Sequence, residues 1–145
     1  MIEEITSFEP SLTPSIAELL RQLTTQPCPF DDDNLRRIVA DEASHLFVMR
    51  ADQKVVAMLT LGSYSSPTGR KVWIEDVVVD ESFRGRGLGR ELVEFAIRYC
   101  KTNLAPCTLM LTSNPTRIAA NELYRSSGFE QKITNVYKLN CPDNE

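Results

Sequence analysis

The chain has 145 residues, 42% of them hydrophobic, which is enough for one buried core and too little for two ordinary domains, so residues 1–145 are expected to form a single domain. Its 16 basic and 20 acidic residues give a formal charge of −4, which excludes a globally basic surface for nucleic acid or an anionic membrane. The opening MIEEITSFEP lacks the basic start of a signal peptide, no apolar run reaches membrane-spanning length, and four scattered cysteines with one histidine suit neither zinc nor a disulfide framework; a cytoplasmic protein without metal is expected.

The first element is a short strand at Ile2 to Ile5. Thr13 or Ser15 then caps a helix whose stripe is Ile16, Leu19, Leu20 and Leu23, with Pro14 suited to the first turn. Asp31 to Asp33 precede a second helical run, Leu35, Ile38 and Val39, and complement its N-terminal dipole; no further ligands follow at the spacing of a calcium loop. HLFVM and KVVAMLTLG, split by Asp52 and Gln53, predict a hairpin, and a polar turn from Ser63 to Gly69 leads to a third strand, VWIEDVVVD.

Next comes FRGRGLGREL, Phe83 to Leu92, and a helix with Leu88, Leu92, Phe95, Ala96 and Tyr99 on one face. Cys100 falls on that apolar side and reads as a small buried hydrophobe. TLMLT predicts a short buried strand, TRIAANELYRSS a helix stopped by Gly128, and FEQKI with NVYKL a closing hairpin; residues 141–145 read as a tail. The order β-α-α-β-β-β-α-β-α-β-β implies a mixed sheet, antiparallel early and parallel where a helix crosses over.

Glycine is a poor helix former, so three glycines at a helix start point to backbone that must approach something closely. A helix N-terminus offers unpaired N–H groups and partial positive charge, and Arg84, Arg86 and Arg90 add cations at the unfavourable end of the dipole. An anion is the expected partner. No Lys-Ser or Lys-Thr follows the last glycine, which excludes a P-loop, and the preceding strand is the third of a meander, which argues against a dinucleotide fold. A pyrophosphate without an obligatory metal fits best.

Arg84-Gly85-Arg86-Gly87-Leu88-Gly89 resembles the (Arg/Gln)-x-x-Gly-x-(Gly/Ala) motif of the GNAT superfamily of acyl-CoA-dependent N-acyltransferases. Leu123-Tyr124-Arg125-Ser126-Ser127-Gly128-Phe129 is similar to that family's late Leu-Tyr-x-x-x-Gly-Phe segment, so the resemblance covers roughly Val72 to Leu139. It implies a GNAT-like α/β fold of the α+β type, a mostly antiparallel sheet with helices on both faces. It also implies acetyl-CoA as cosubstrate, its coenzyme A diphosphate held by backbone amides of Arg84, Gly85, Arg86, Gly87, Leu88, Gly89 and Arg90. The pantetheine arm is expected along the backbone of Val77, Val78 and Val79, whose side chains also read as strand core.

The chemistry implied is acetyl transfer to a primary amine, which needs a stabilised carbonyl oxygen, a neutral amine and a proton for the leaving thiolate. By resemblance, a backbone N–H near Val78 or Val79 serves the oxygen and Tyr124 serves the thiolate; otherwise Tyr124 is a core aromatic. Asn121, a turn earlier, faces the pantetheine or the tyrosine hydroxyl, or is simply exposed. Glu75 is the expected base, with an exposed strand carboxylate as the alternative. Asp76 beside it should point to the opposite face.

Ile74-Glu75-Asp76-Val77-Val78-Val79 resembles members acting on small amines such as glucosamine 6-phosphate. Where members that acetylate ribosomal N-termini carry Asn, this chain has Arg117, which either binds phosphate or caps the loop. A small-molecule amine is therefore the expected acceptor. A protein N-terminal or lysine acetyltransferase and a non-catalytic acyl-CoA-binding domain are the alternatives. The resemblance also allows a homodimer through the C-terminal hairpin.

Overall fold

Alternating apolar residues between 44 and 79 dictate the frame. In the computed structural model, which describes residues 1–143, β2 (Ser44–Ala51), β3 (Lys54–Ser66) and β4 (Gly69–Val79) form an antiparallel meander. β1 (Ile2–Glu4) pairs with the outer side of β2, and β5 (Thr108–Met110) joins β4 in parallel, so the order is β1-β2-β3-β4-β5. The turn between β2 and β3 is Asp52 and Gln53, both with positive φ (51° and 69°), as a tight two-residue hairpin demands. The next turn is shorter than the polar composition predicts. Ser63 to Ser66 stay paired with Gly69 to Val72, and short of the buried Val72 the ribbon's hydrophilic side chains read as loop because they reach no core.

Period-two alternation feeds two cores, one on each face of the sheet. Leu46 and Val48 pack with Leu12, Ile16 and Leu19 of α1 (Leu12–Leu23) and Leu35 of α2 (Asp32–Ala40). Phe47 and Met49 point the other way, onto Leu92 and Ala96 of α3 (Leu88–Tyr99). Helices thus cover both faces. The first helix starts earlier than its polar caps predict: Ser11 stands at the N-cap without a side-chain bond, because Leu12, 1% exposed, is drawn into the core. Thr13 instead donates to Asp32 at 2.7 Å and ties α1 to α2.

α2 is capped as its acids suggest. Asp31 accepts from the Asn34 amide (2.9 Å) while the Asn34 side chain accepts from the Asp31 amide (2.8 Å). Asp31→Ala is expected to cost about 1 kcal/mol and to lower Tm by a few degrees in a calorimetric melt. An unchanged Tm would mean that α2 is held by the packing of Leu35, Ile38 and Val39 without its cap.

After α3 the chain makes a π-type turn at Cys100–Leu104, passes through β5, and enters α4 (Ile118–Ser126), which ends at Gly128 with φ +104°. The expected closing hairpin is not formed. Among the described residues no strand follows α4; Phe129 packs on the core, whereas Ile133, Val136, Tyr137 and Leu139 are exposed. An alternating segment becomes a strand only when a neighbouring edge takes its hydrogen bonds, and here the segment lies off the sheet. Residues 141–143 of the expected tail are exposed; 144 and 145 lie outside the described residues.

Candidate active site

The site begins where β4 loses one of its neighbours. β5 pairs only with Lys71, Val72 and Trp73, so from Glu75 to Val79 β4 is bonded to β3 alone. Its other edge has no strand partner, so apart from the Val79 carbonyl, which a side chain of the following loop reaches, its N–H and C=O groups face whatever lies between the two diverging strands. A bulge sits at the parting. Thr60 opposes Glu75 and Met58 opposes Val78, so Leu59 faces both Asp76 and Val77, and Asp76 takes φ +51°. Positive φ in a non-glycine residue is stored strain of the kind found at functional sites.

The bulge interrupts the period-two alternation on which the expectation of opposite faces for Glu75 and Asp76 rests. Val72 and Ile74 pack toward α3, Val77 and Val79 do so as well, and Val78 joins the α1 side, so the alternation slips by one residue at Asp76. Both carboxylates are accessible to solvent. Partial burial pushes the Glu75 carboxyl above its ordinary range, with the Asp76 charge adding to it, and burial raises Asp76 as well. Neither has an ion-pair partner among the described residues. A hollow of about 670 Å³ lies between the end of α1 and residues 24–30, lined by Leu20, Arg21, Thr24, Cys28 and Phe30.

β4 passes into a short 3₁₀ turn, Glu81–Phe83, and then the glycine loop. Gly87 is the N-cap of α3 with φ +78° and no side-chain cap, and the helix takes its first N–H at Glu91, bonded to the Gly87 carbonyl. The amides of Leu88, Gly89 and Arg90 therefore have no intrahelical acceptor. Gly85 has φ +81°, and a Cβ added there or at Gly87 would meet nothing within 4 Å. The donor set and the open space both fit a diphosphate.

The three arginines do not hang free. Arg84 Nε donates to the Val79 carbonyl (3.0 Å), Arg86 lies over the Phe83 ring at 4.7 Å, and Arg90 reaches Ser126 Oγ (3.3 Å) on α4. Protein groups thus meet part of the charge for which an anion was expected. In these positions the arginines brace the loop against β4 and α4.

Tyr124 is 7% exposed, its ring edge-to-face with Phe129 at 6.1 Å. Burial against Phe129 fixes the ring, and the hydroxyl has no hydrogen-bond partner among the described residues. Asn121 plays a structural part, since its Nδ2 donates to the Asn114 carbonyl (3.0 Å) and ties α4 to the loop after β5. Arg117 occupies the N-cap position of α4. Ser113, in the same loop, has a buried hydroxyl without a partner.

Sequence reasoning does not reach Asp80, the residue that sets the start of the loop. Its carboxylate accepts from the Ser82 amide (2.9 Å) and from Gln22 (3.3 Å), while Gln22 Oε1 accepts from the Glu81 amide (2.8 Å). An Asp two residues before a Ser is the turn signal that could have found it. The Ser82 amide first, then Gln22 and Lys54, hold this carboxyl below its ordinary range. Its stabilisation is therefore full above the unfolded carboxylate range and is lost as pH falls through the lowered native value. Asp80→Asn is expected to melt below wild type at neutral pH, with the gap closing toward acid; a gap independent of pH would contradict this.

Cys100 is the buried hydrophobe its pattern predicts, its thiol pushed up to about 12 by burial and by neighbouring Cys107. Among the described residues, no group of three His, Cys, Asp or Glu side chains is placed to hold a metal, and no helix is long and apolar enough to cross a membrane.

Known proteins share the fold and much of the sequence. A family model for the GNAT acetyltransferases matches residues 13–129. Over 94 residues the chain is 32% identical to glucosamine 6-phosphate N-acetyltransferase of Arabidopsis thaliana, a stretch covering 59% of this chain and 63% of that relative's length. The solved structure of that Arabidopsis enzyme superposes with a TM-score of 0.78 at 25% identity, covering 96% of this chain and 97% of the other. A candidate acetyltransferase from Agrobacterium tumefaciens C58 superposes at 0.83, with 25% identity and coverage of 97% and 99%. With a family model matching most of its length, the chain belongs to the GNAT acetyltransferase family.

Proposed function

We propose that the chain is an N-acetyltransferase that moves an acetyl group from acetyl-CoA to the primary amine of a small molecule. The observation that carries this is the convergence of three features: unpaired amides at the start of α3, an unpaired β4 edge beside them, and the Tyr124 hydroxyl without a protein partner. Amides from Arg84 to Arg90 hold the diphosphate, and the backbone of Val77 to Val79 pairs with the amides of the pantetheine arm. Asn121 keeps the facing loop in position through Asn114, or turns its free oxygen to the same arm.

When bound, acetyl-CoA supplies the activated acetyl thioester. The N–H of Val78 or Val79 donates to the acetyl oxygen as negative charge grows there. Glu75 takes the proton that the amine must lose, and Tyr124 gives a proton to the departing sulfur. The small-amine reading is supported by the similarity to an enzyme named for glucosamine 6-phosphate. Location in the cytoplasm belongs to the same proposal.

The raised Glu75 carboxyl has a consequence in pH. A base must be ionised, so the acid limb of kcat/KM should lie above the ordinary carboxylate range, with activity falling as pH falls through it. Glu75→Gln should remove that limb and lower kcat/KM about tenfold. A retained limb would assign the proton to another group. The substrate class is tested by coenzyme A thiol release with amino sugars and their phosphates, aminoglycosides, polyamines and N-terminal peptides. Release with small amines and not peptides is expected; release with peptides alone would overturn the small-molecule reading.

A further inference from the structure

Two aromatic side chains near Glu75 belong to neither core. Val72 and Ile74 pack toward α3, so the alternation of β4 puts Lys71, Trp73 and Glu75 on the opposite face of the sheet. Across the ladder Thr60 opposes Glu75, Gly62 opposes Trp73 and Tyr64 opposes Lys71, so these residues share that face. The bulge begins only after Glu75.

Trp73 Nε1 donates to the Tyr64 hydroxyl (3.4 Å) and links the two rings. Tyr64 is 52% exposed and Trp73 partly so. Among the described residues no aromatic ring stacks on the indole and no guanidinium lies over it, while Gly62 opposite has no side chain to cover it. An open apolar ring two residues from a carboxylate is a place for the body of an amine.

The chemistry of that face narrows the amine. Lys71 Nζ already donates to Ser66 Oγ (3.1 Å), Thr68 Oγ1 (2.7 Å) and the Gly69 carbonyl (3.2 Å), so its three N–H groups are taken and none is left for a phosphate. Thr60 and Tyr64 supply two hydroxyls beside the indole, too few for a sugar ring, whose buried hydroxyls each need a partner. An aromatic ring needs none. Two strand residues separate the roots of Trp73 and Glu75 by about 7 Å, a span bridged by an amine two carbons from its ring and not by one attached to the ring itself.

We propose that Trp73 and Tyr64 form the acceptor subsite, and that the acceptor is an unphosphorylated aromatic ring with a primary amine two carbons away, received by Glu75. This rests on the acetyl-transfer reading and names the substrate class of that site. In the step, the amine nitrogen bonds to the acetyl carbon and the carbon–sulfur bond breaks; Glu75 takes the amine proton and the sulfur takes the proton of Tyr124.

Trp73 is the only tryptophan of the chain, so its fluorescence reports on the subsite without turnover. The experiment titrates the chain with 2-phenylethylamine, ethylamine and glucosamine 6-phosphate while indole emission is followed, then measures coenzyme A thiol release from acetyl-CoA with the same amines. The expected result is a saturable emission change with 2-phenylethylamine alone, and a kcat/KM for it at least about tenfold above the other two. Trp73→Leu should raise KM for 2-phenylethylamine about tenfold with kcat within about twofold, leaving KM for ethylamine and coenzyme A affinity unchanged. Trp73→Phe keeps a flat ring and should recover most of that loss. Because Trp73 packs in neither core, both variants should keep the wild-type Tm. A preference for glucosamine 6-phosphate, equal kcat/KM for all three amines, or a KM indifferent to Trp73→Leu overturns the proposal. Thiol release without an indole response overturns this inference alone; an indole response without release from any amine overturns the transfer reading, and the acceptor role with it.

Discussion

Tyr124→Phe is expected to lower kcat about a hundredfold, roughly 2.7 kcal/mol in the barrier, with little change in KM for acetyl-CoA. The ring is buried against Phe129, and phenylalanine keeps that packing. What is lost is one hydroxyl that bonds to nothing else among the described residues, so no protein partner is left orphaned and Tm should stay within about a degree of wild type. The pairing of normal stability with slow turnover separates a proton donor from a core aromatic. An unchanged kcat would give the thiolate proton to water; a reduced Tm with proportional loss of activity would make Tyr124 structural. Steady-state kinetics and a thermal melt of the same preparation decide between them.

Gly87→Val should act on binding, not on chemistry. At φ +78° a β-branched residue is strained by about 1–3 kcal/mol, and relaxing that strain turns the first amides of α3 away from their common target. The added side chain would also enter the open face of the loop, where a diphosphate is to sit. Coenzyme A affinity is expected to fall at least tenfold, about 1.4 kcal/mol, while kcat at saturating acetyl-CoA stays within about twofold. Gly62→Ala is the control. That glycine lies in β3 with ordinary φ and space around it, and its replacement should leave both quantities alone.

The parts legible from residue order are those governed by local periodicity and caps. Leu88, Leu92 and Ala96 at helical spacing, Asp52 and Gln53 between alternating runs, and Gly128 after α4 each state their own conformation. The glycine loop is legible for the same reason, because Gly85 and Gly87 adopt the positive φ that their residue type allows. What stays hidden depends on partners distant in sequence. The slip at Asp76 comes from Thr60 and Met58 across the ladder, and no residue type marks a bulge built on aspartate. Gln22 reaches the loop from α1, 58 residues before Asp80, so its role cannot be read locally. The alternation at 129–139 is strand-like, yet a strand is a relation between two segments, and the second segment is not part of that pattern.

The most direct test of the loop's assignment is calorimetric titration of the chain with coenzyme A and, in parallel, with pantetheine, which shares the arm and lacks the diphosphate. If the amides from Arg84 to Arg90 hold the diphosphate, coenzyme A should bind at least tenfold more tightly than pantetheine, and Gly87→Val should erase the difference. Equal affinities, or no binding of coenzyme A at all, would contradict the assignment of FRGRGLGREL as its cradle.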